Sequence, residues 1–407
     1  MNANRYGRIY LDNAATTPVL EEVVQEMIPY LSTYYGNPSS PHTFGYESAR
    51  GINIARRRVS ALIGAKPSEI VFTGSGTEAD NLAIKGAAYS ARERFPKKNQ
   101  IVTTTVEHDA VMESCKALEK NGFEVSYVPV DPEGLVNITK FGESISNEKT
   151  ALISIMLANN ETGTIQPIRE LVTIARRKAE NVLFHTDGIQ ALGKVPVNCH
   201  KLGVDLMAIS SHKINGPKGV GGLFIKTGSQ ISTLISGGGQ ENSLRSGTEN
   251  VHGIVGFGKA CDLSMQRLHD IETRVRGMRD HLAERIISQI PSARYNGPSD
   301  ANCRLPNIAH FTFMGVNGED LIIKLDEHGI AASTGSACSA KKQKESHVLR
   351  AMGFSSHEIS GSLRLSLGPV NTIEEVDETA ANLKLIVEEL RELSPYLNSK
   401  SDRPKSL

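Results

Sequence analysis

Short apolar runs alternate with longer stretches in which apolar residues return every third or fourth position. The short runs lie at 69–73, 100–105, 124–130, 151–158, 182–187 and 205–210. Continuous apolar runs of this length predict buried strands. The stretches between them, at 78–90, 110–121 and 167–181, have the spacing of amphipathic helices. Strand and helix in alternation predict an α/β fold with a mostly parallel sheet. Ligands in such folds gather at the carboxyl ends of the strands. Here those ends run into small and polar residues.

After Gly253 the pattern changes. Residues 258–290 read as one or two long helices. Apolar segments follow at 307–313, 321–325 and 362–367, then an acidic amphipathic helix at 372–393. This predicts a smaller α+β domain closing over the site. The polar tail is expected to be disordered.

The 407 residues suffice for two domains. Lys+Arg and Asp+Glu number 45 each, so the totals give no sign of direct nucleic-acid or membrane-surface binding. The first residues lack the basic-then-apolar layout of a signal peptide, and the apolar runs are too short to span a bilayer. Cys115, Cys199, Cys261, Cys303 and Cys338 are scattered with no CxxC pair. That argues against a zinc site or disulfide framework and for a reducing, cytoplasmic setting.

Several strand ends carry chemistry. Lys213, in Ile209-Ser-Ser-His-Lys-Ile-Asn-Gly-Pro-Lys-Gly219, follows an apolar run. A lysine losing hydration there has a lowered pKa and can form a Schiff base with a carbonyl cofactor. Asp187 ends another run, and an acid beside such a lysine suits pyridoxal phosphate, whose pyridine nitrogen it keeps protonated. Phe72-Thr-Gly-Ser-Gly-Thr-Glu78 joins strand to helix, where Gly76 and Thr77 can meet an anion. An ordinary strand–turn–helix junction reads the same way. His108 stacks on a planar ring, shuttles a proton or simply caps a helix. Asn160 and Gln190, the latter expected on the first turn of a helix, suit a phenolic oxygen, although Asn-Gly turns are common. Gly237-Gly-Gly-Gln240 with Arg245-Ser-Gly-Thr248 reads as a flexible polar loop, meeting a phosphate, a partner subunit or only solvent. Cys338 lies among small and basic residues that favour its thiolate, or is a plain surface cysteine. Arg364 clamps a carboxylate or forms a structural ion pair.

In this order the motifs resemble the cysteine desulfurases of the NifS/IscS type, fold-type-I pyridoxal phosphate enzymes of the class V aminotransferase superfamily. The resemblance runs from Tyr10-Leu-Asp-Asn-Ala-Ala-Thr-Thr-Pro18 to about Gly368. Its most specific parts are Gly36-Asn-Pro-Ser-Ser40, Thr77-Glu-Ala-Asp-Asn81, Ser211–Gly219, Arg245-Ser-Gly-Thr248 and Gly335-Ser-Ala-Cys338. The segment around Cys338, with His347-Val-Leu-Arg-Ala-Met-Gly353 after it, resembles the group with a long cysteine loop. The resemblance implies a seven-stranded, mostly parallel sheet in a large domain, 16–262. A small domain, 1–15 and 263–395, would carry the cysteine loop, with a disordered tail at 396–407.

The resemblance also implies roles. Lys213 would hold pyridoxal 5′-phosphate, Asp187 would pair with the pyridine nitrogen, and His108 would stack on the ring and assist proton transfer. Asn160 and Gln190 would contact the phenolic oxygen. Gly76, Thr77, Ser210 and His212 would hold the phosphate, with Thr248 arriving from the second subunit of a homodimer. Arg364, with Asn160, would bind substrate L-cysteine. Cys338 would receive the sulfur as a persulfide, releasing L-alanine, and pass it to an acceptor or iron–sulfur scaffold protein. Apart from what the resemblance implies, a further reading makes Cys338 an iron–sulfur ligand shared with that partner. Two stretches depart from the family pattern, the Lys-rich run after Cys338 and Glu241-Asn-Ser-Leu before Arg245. Iron–sulfur assembly is the expected destination of the sulfur. Transfer-RNA, thio-cofactor or DNA sulfur modification, a selenocysteine lyase and a non-catalytic scaffold stay open as alternatives.

Overall fold

The computed structural model describes residues 7–335 and 345–393. Seven strands form the central sheet, in the order Ile70–Thr73, Gly221–Ile225, Leu206–Ser210, Leu183–Asp187, Thr150–Ser154, Gln100–Thr104 and Glu124–Val128. Neighbours run parallel except Gly221–Ile225, which is antiparallel to the strands on both sides. All five residues of Thr150–Ser154, Leu206–Ser210 and Gly221–Ile225 are buried. Burial on both faces is why these strands read as unbroken apolar runs rather than as alternation. Separate apolar clusters line the two faces, one including Val102, Ile153, Phe184 and Ile209, the other Ile101, Leu152, Leu206 and Leu223.

The strand Gly221–Ile225 escaped the sequence reading because Gly219, Gly221 and Gly222 hide its pattern. Gly221 is required there. A Cβ on it would stand 2.5 Å from the Ser75 carbonyl carbon and 2.8 Å from the Gly76 nitrogen. The strand therefore passes tightly beneath the turn that opens the helix Gly76–Arg94.

A second core joins Ile9 and Leu11 to residues between Ile271 and Val387. It is built on an antiparallel sheet in the order Ser362–Ser366, Ile308–Phe313, Ala293–Tyr295. The helices Arg276–Gln289, Gly318–Glu327 and Ile373–Leu393 cover it. The helix Val251–Asp270 continues through a π-helical turn, Ile271–Val275, into Arg276–Gln289 and bridges the two cores. The apolar segment 321–325 belongs to the helix Gly318–Glu327, whose first turn is capped by the Asn317 side chain. Ile9–Tyr10 pairs in parallel with Ile330–Ala331 and carries the chain across the site.

Candidate active site

Lys213 closes a 3₁₀ turn, Ser211–Lys213, directly after the strand Leu206–Ser210. Its Nζ donates to the carbonyls of Ala14 at 2.6 Å and Ala15 at 2.8 Å. The N-terminal strap that offers them is tied down by Thr17, whose N–H and Oγ1 both donate to the His212 carbonyl, at 2.9 and 2.8 Å. Asp187 ends the neighbouring strand and accepts from the Ile189 N–H at 2.9 Å. Burial raises its carboxyl above the usual range, while His108, the Ile189 N–H and Lys213 pull it back down.

A cavity of about 280 Å³ opens at these strand ends. It brings together Gly76, Thr77, His108, Asn160, Asp187, Gln190, Ser210, His212, Lys213 and Arg364. Thr248 is exposed and does not line it. Cys338 lies outside the described residues, but Gly335 and His347, on either side of 336–344, line the cavity. A larger cavity of about 670 Å³ sits at the opposite, amino-terminal ends of the strands. Its cations are already held: Lys98 by the Asn147 and Thr150 carbonyls, Arg176 and Lys226 by Asp205. None of the predicted residues lines it.

One end of the site is built for an anion. Ser75 caps the helix Gly76–Arg94 by accepting from the Glu78 N–H at 3.1 Å. The start of that helix, Ser75 to Thr77, lines the cavity, where the helix dipole favours negative charge. Ser210 Oγ is buried there and meets no hydrogen-bond partner among the described residues. Gly76 leaves the space clear, since a Cβ on it would lie 2.3 Å from Ile189 Cδ1 and 3.2 Å from Ser210 Cβ.

His108 caps the helix Asp109–Glu119, its Nδ1 accepting from the Ala110 N–H at 3.1 Å. The capping reading and the active-site reading therefore both hold. Burial pushes its imidazole below the ordinary value, which favours the neutral ring with the proton on Nε2. Gln190 sits in a turn, not on the first turn of a helix as expected. The chain turns again at Gly193, whose φ is +66°, before a helix can develop. Its Nε2 donates to the Ala14 carbonyl at 3.0 Å, the oxygen that also receives Lys213.

Arg364 is 2% exposed. Its guanidinium donates to the Asn160 and Gly335 carbonyls, each at 2.7 Å, and to Asp12 at 2.8 Å. The structural ion pair is thus real, and the Nε N–H is left without a partner among the described residues. Neither extreme reading of this arginine excludes the other.

The sequence reading gives three further residues no role of their own. Glu107 is fully buried, accepts from Thr104 Oγ1 at 2.6 Å and from the Met156 N–H at 3.0 Å, and is pushed up to about 8 by burial. Asp80, also fully buried, is raised well above its ordinary value by burial and by the Asp187 and Glu107 charges. His347 donates from Nε2 to the Glu107 carbonyl at 2.9 Å. Only the position of Asp80 four residues into a helix hinted that it faces inward. The loop at 237–248 is pinned rather than loose: Glu241 pairs with both terminal nitrogens of Arg56, at 2.8 and 2.6 Å.

The profile of the aminotransferase class-V family matches residues 9–379. The chain belongs to this family of pyridoxal phosphate enzymes, and within it to the NifS/IscS-type cysteine desulfurases. It is 44% identical over 400 residues to "Cysteine desulfurase IscS" of Clostridium botulinum, covering 97% of this chain and 99% of that one. It is 46% identical over 388 residues to the protein of the same name from Dictyoglomus turgidum, covering 95% and 96%. Among solved structures it resembles a NifS-like protein with a TM-score of 0.87 and 39% identity, over 94% of this chain and all of that one.

The cleft fits the family's cofactor on its own terms. A lysine amine, a buried acid on the next strand, a helix start cleared by Gly76 and the unpartnered Ser210 hydroxyl match an aldehyde, a pyridine nitrogen and a phosphate.

Proposed function

We propose that this protein is a cysteine desulfurase that converts L-cysteine to L-alanine and leaves a persulfide on Cys338. The observation that carries the reading is the convergence of Lys213, Asp187, His108 and Arg364 on one cavity bordered by both flanks of the Cys338 segment. The naming of the full-length relatives supports it.

Pyridoxal 5′-phosphate, when bound, supplies an electron sink for the substrate Cα. Lys213 would hold it, Asp187 would face its pyridine nitrogen, and Gly76, Thr77, Ser210 and His212 would hold its phosphate. Asn160 and Gln190 would face its phenolic oxygen. Arg364 binds the α-carboxylate of L-cysteine through its open Nε N–H, exchanging a neighbouring carbonyl for the second carboxylate oxygen. The Lys213 amine, released from the Ala14 and Ala15 carbonyls, takes the Cα proton. His108, neutral and carrying its proton on Nε2, returns protons to the substrate side. The Cys338 thiolate attacks the substrate sulfur. The new S–S bond forms as the Cβ–S bond breaks, its electron pair stays with carbon, and protonation gives L-alanine. The persulfide sulfur then passes to an acceptor, which we assign to iron–sulfur cluster assembly. Cys338 would stand at that junction, as sulfur donor and as a ligand shared with the scaffold.

The test is turnover of L-cysteine with alanine release and peptide mass spectrometry of Cys338. Alanine together with a persulfide on Cys338, both lost in Cys338→Ser while the cofactor stays bound, is the expected result. A cofactor-loaded protein giving neither product would overturn the reading.

A further inference from the structure

We propose that Lys194 is a positioning residue for Lys213: it holds the main chain of the Lys213 turn and sets a second amine behind the first. The proposal rests on Lys213 being the cofactor-binding lysine. Lys194 Nζ donates to the Lys213 main-chain carbonyl at 2.6 Å, with the Leu192 carbonyl further off at 3.5 Å. Other carbonyls of the turn are met by the main chain or by Thr17. His212 O accepts from Thr17, Ser211 O from the Ile214 and Gly216 N–H groups, and Asn215 O from the Leu20 N–H. The Lys213 carbonyl is met by the Lys194 amine instead.

The turn needs such a tie. Asn215, two residues on, sits in the left-handed region at φ +65°, a costly conformation that persists only where its surroundings enforce it. Lys194 is 7% exposed. It borders a gap of about 20 Å³, also lined by Lys213, Asn13 and Asn307. The Oδ1 atoms of both asparagines meet no partner among the described residues. No carboxylate is among the described residues that line this gap.

An ammonium in such a place has no counter-charge, so the neutral amine is favoured. Burial, then the Lys213 charge, lower Lys194 to about 7. The titratable groups facing it are Lys213 and His212, and His212 is itself lowered to about 4 by burial and by the lysines around it. Two amines sharing one buried space resist being protonated together. Lys194 therefore meets the Lys213 turn as a neutral donor, which holds the carbonyl without placing a charge behind the Lys213 amine. Nothing in the proposed turnover uses Lys194 directly.

The experiment follows covalent capture of pyridoxal phosphate by the apoprotein as a function of pH, with borohydride reduction and peptide mapping to identify the lysine. Lys194→Met removes donor and charge, whereas Lys194→Gln keeps a donor for the Lys213 carbonyl without the charge. The readout is the capture rate at the alkaline plateau, where no charge on either amine enters. Lys194→Met should capture roughly tenfold more slowly there, while Lys194→Gln, which keeps a donor for the Lys213 carbonyl, stays close to the parent. If the methionine variant fails to fold, Lys194→Ala takes its place in the rate comparison. A folded variant without a donor that captures at the parent's rate, or a folded Lys194→Gln as slow as Lys194→Met, overturns the role of Lys194. Mapping of the parent's label to another lysine would instead overturn the reading of Lys213.

Discussion

Arg364 and Asp12 form an ion pair at 2.8 Å between the antiparallel sheet and the strap that holds Lys213. The arginine side chain is 2% exposed and the aspartate 20%, so water screens the pair little. One guanidinium thus closes the site, and on the function proposed above its Nε N–H is the donor for the substrate carboxylate. Replacing Arg364 by alanine should cost about 2–3 kcal/mol of carboxylate binding, roughly 30- to 150-fold in kcat/KM for L-cysteine. Arg364→Lys should recover little, because one ammonium cannot span Asp12, Asn160 and Gly335. Steady-state kinetics on both variants check this, and an unchanged KM would remove Arg364 from substrate binding.

Glu107 makes stability depend on pH. Its carboxyl titrates near 4.5 in the unfolded chain and at about 8 in the fold. The native state therefore binds the proton more tightly. Its contribution is complete below about 4.5 and is lost as pH rises through about 8. Asp80 and Asp187, also raised by burial, act in the same direction. Glu107→Gln keeps an acceptor for Thr104 and Met156 and carries no charge to bury. The melting temperature of the apoprotein variant should fall less than the parent's between about pH 6 and about pH 9. Parallel melting curves for the two proteins would mean that Glu107 is not the group that titrates.

Much of this site was legible because the strands that lead into it are buried on both faces and end in polar residues. Lys213, Asp187 and His108 announce themselves by following apolar runs. What stayed hidden depends on contacts distant in sequence. Nothing near Ala14 shows that its carbonyl receives Gln190 and Lys213, over 170 residues away. Gly221 looks like loop until its closeness to Ser75 is seen. Gln190 follows a strand as a helix would, yet Gly193 turns the chain first.

Gly221 supplies a direct test of that packing. A methyl group there must push the Ser75–Gly76 backbone, and backbone cannot rotate away as a side chain would. Gly221→Ala should weaken cofactor binding at least tenfold and destabilise the apoprotein by about 1–3 kcal/mol. Equilibrium titration with pyridoxal phosphate and thermal melting give the two numbers. Tight binding in this variant would mean that the turn at Gly76 does not hold the phosphate.

Thr248 is exposed and does not line the cavity, and we propose that it completes the site of a second copy in a homodimer. Cofactor affinity should then fall as the protein is diluted and the dimer dissociates. Thr248→Ala should weaken binding by about 1 kcal/mol, roughly fivefold, in the dimer alone. Titrations at several protein concentrations, paired with sedimentation, would expose a concentration-independent affinity, which is the result that rejects the shared site.

Glu241 anchors the stretch that departs from the family pattern. Glu241, Asn242 and Ser243 all sit at positive φ, a run that side-chain-bearing residues resist. The run is held because Glu241, 3% exposed, pairs with Arg56 and accepts from the Phe72 N–H at 2.8 Å. Arg245, just beyond, pairs with Glu78 at 2.9 Å, and Glu78 in turn accepts from the Gly74 N–H. The loop thus grips both ends of the turn that leads to Gly76. Glu241→Ala leaves the partly buried Arg56 with the Ile70 carbonyl and the Phe72 ring but without its carboxylate, at a cost of about 1–3 kcal/mol, and should loosen the cofactor as well. The double change Arg56→Met with Glu241→Leu buries no charge and should recover much of the stability. It does not restore an acceptor for the Phe72 N–H, so the cofactor should remain loose. Chemical denaturation and cofactor titration on the single and double variants separate the two effects. Full recovery of both in the double variant would show that the ion pair only fills space and does not position the phosphate turn.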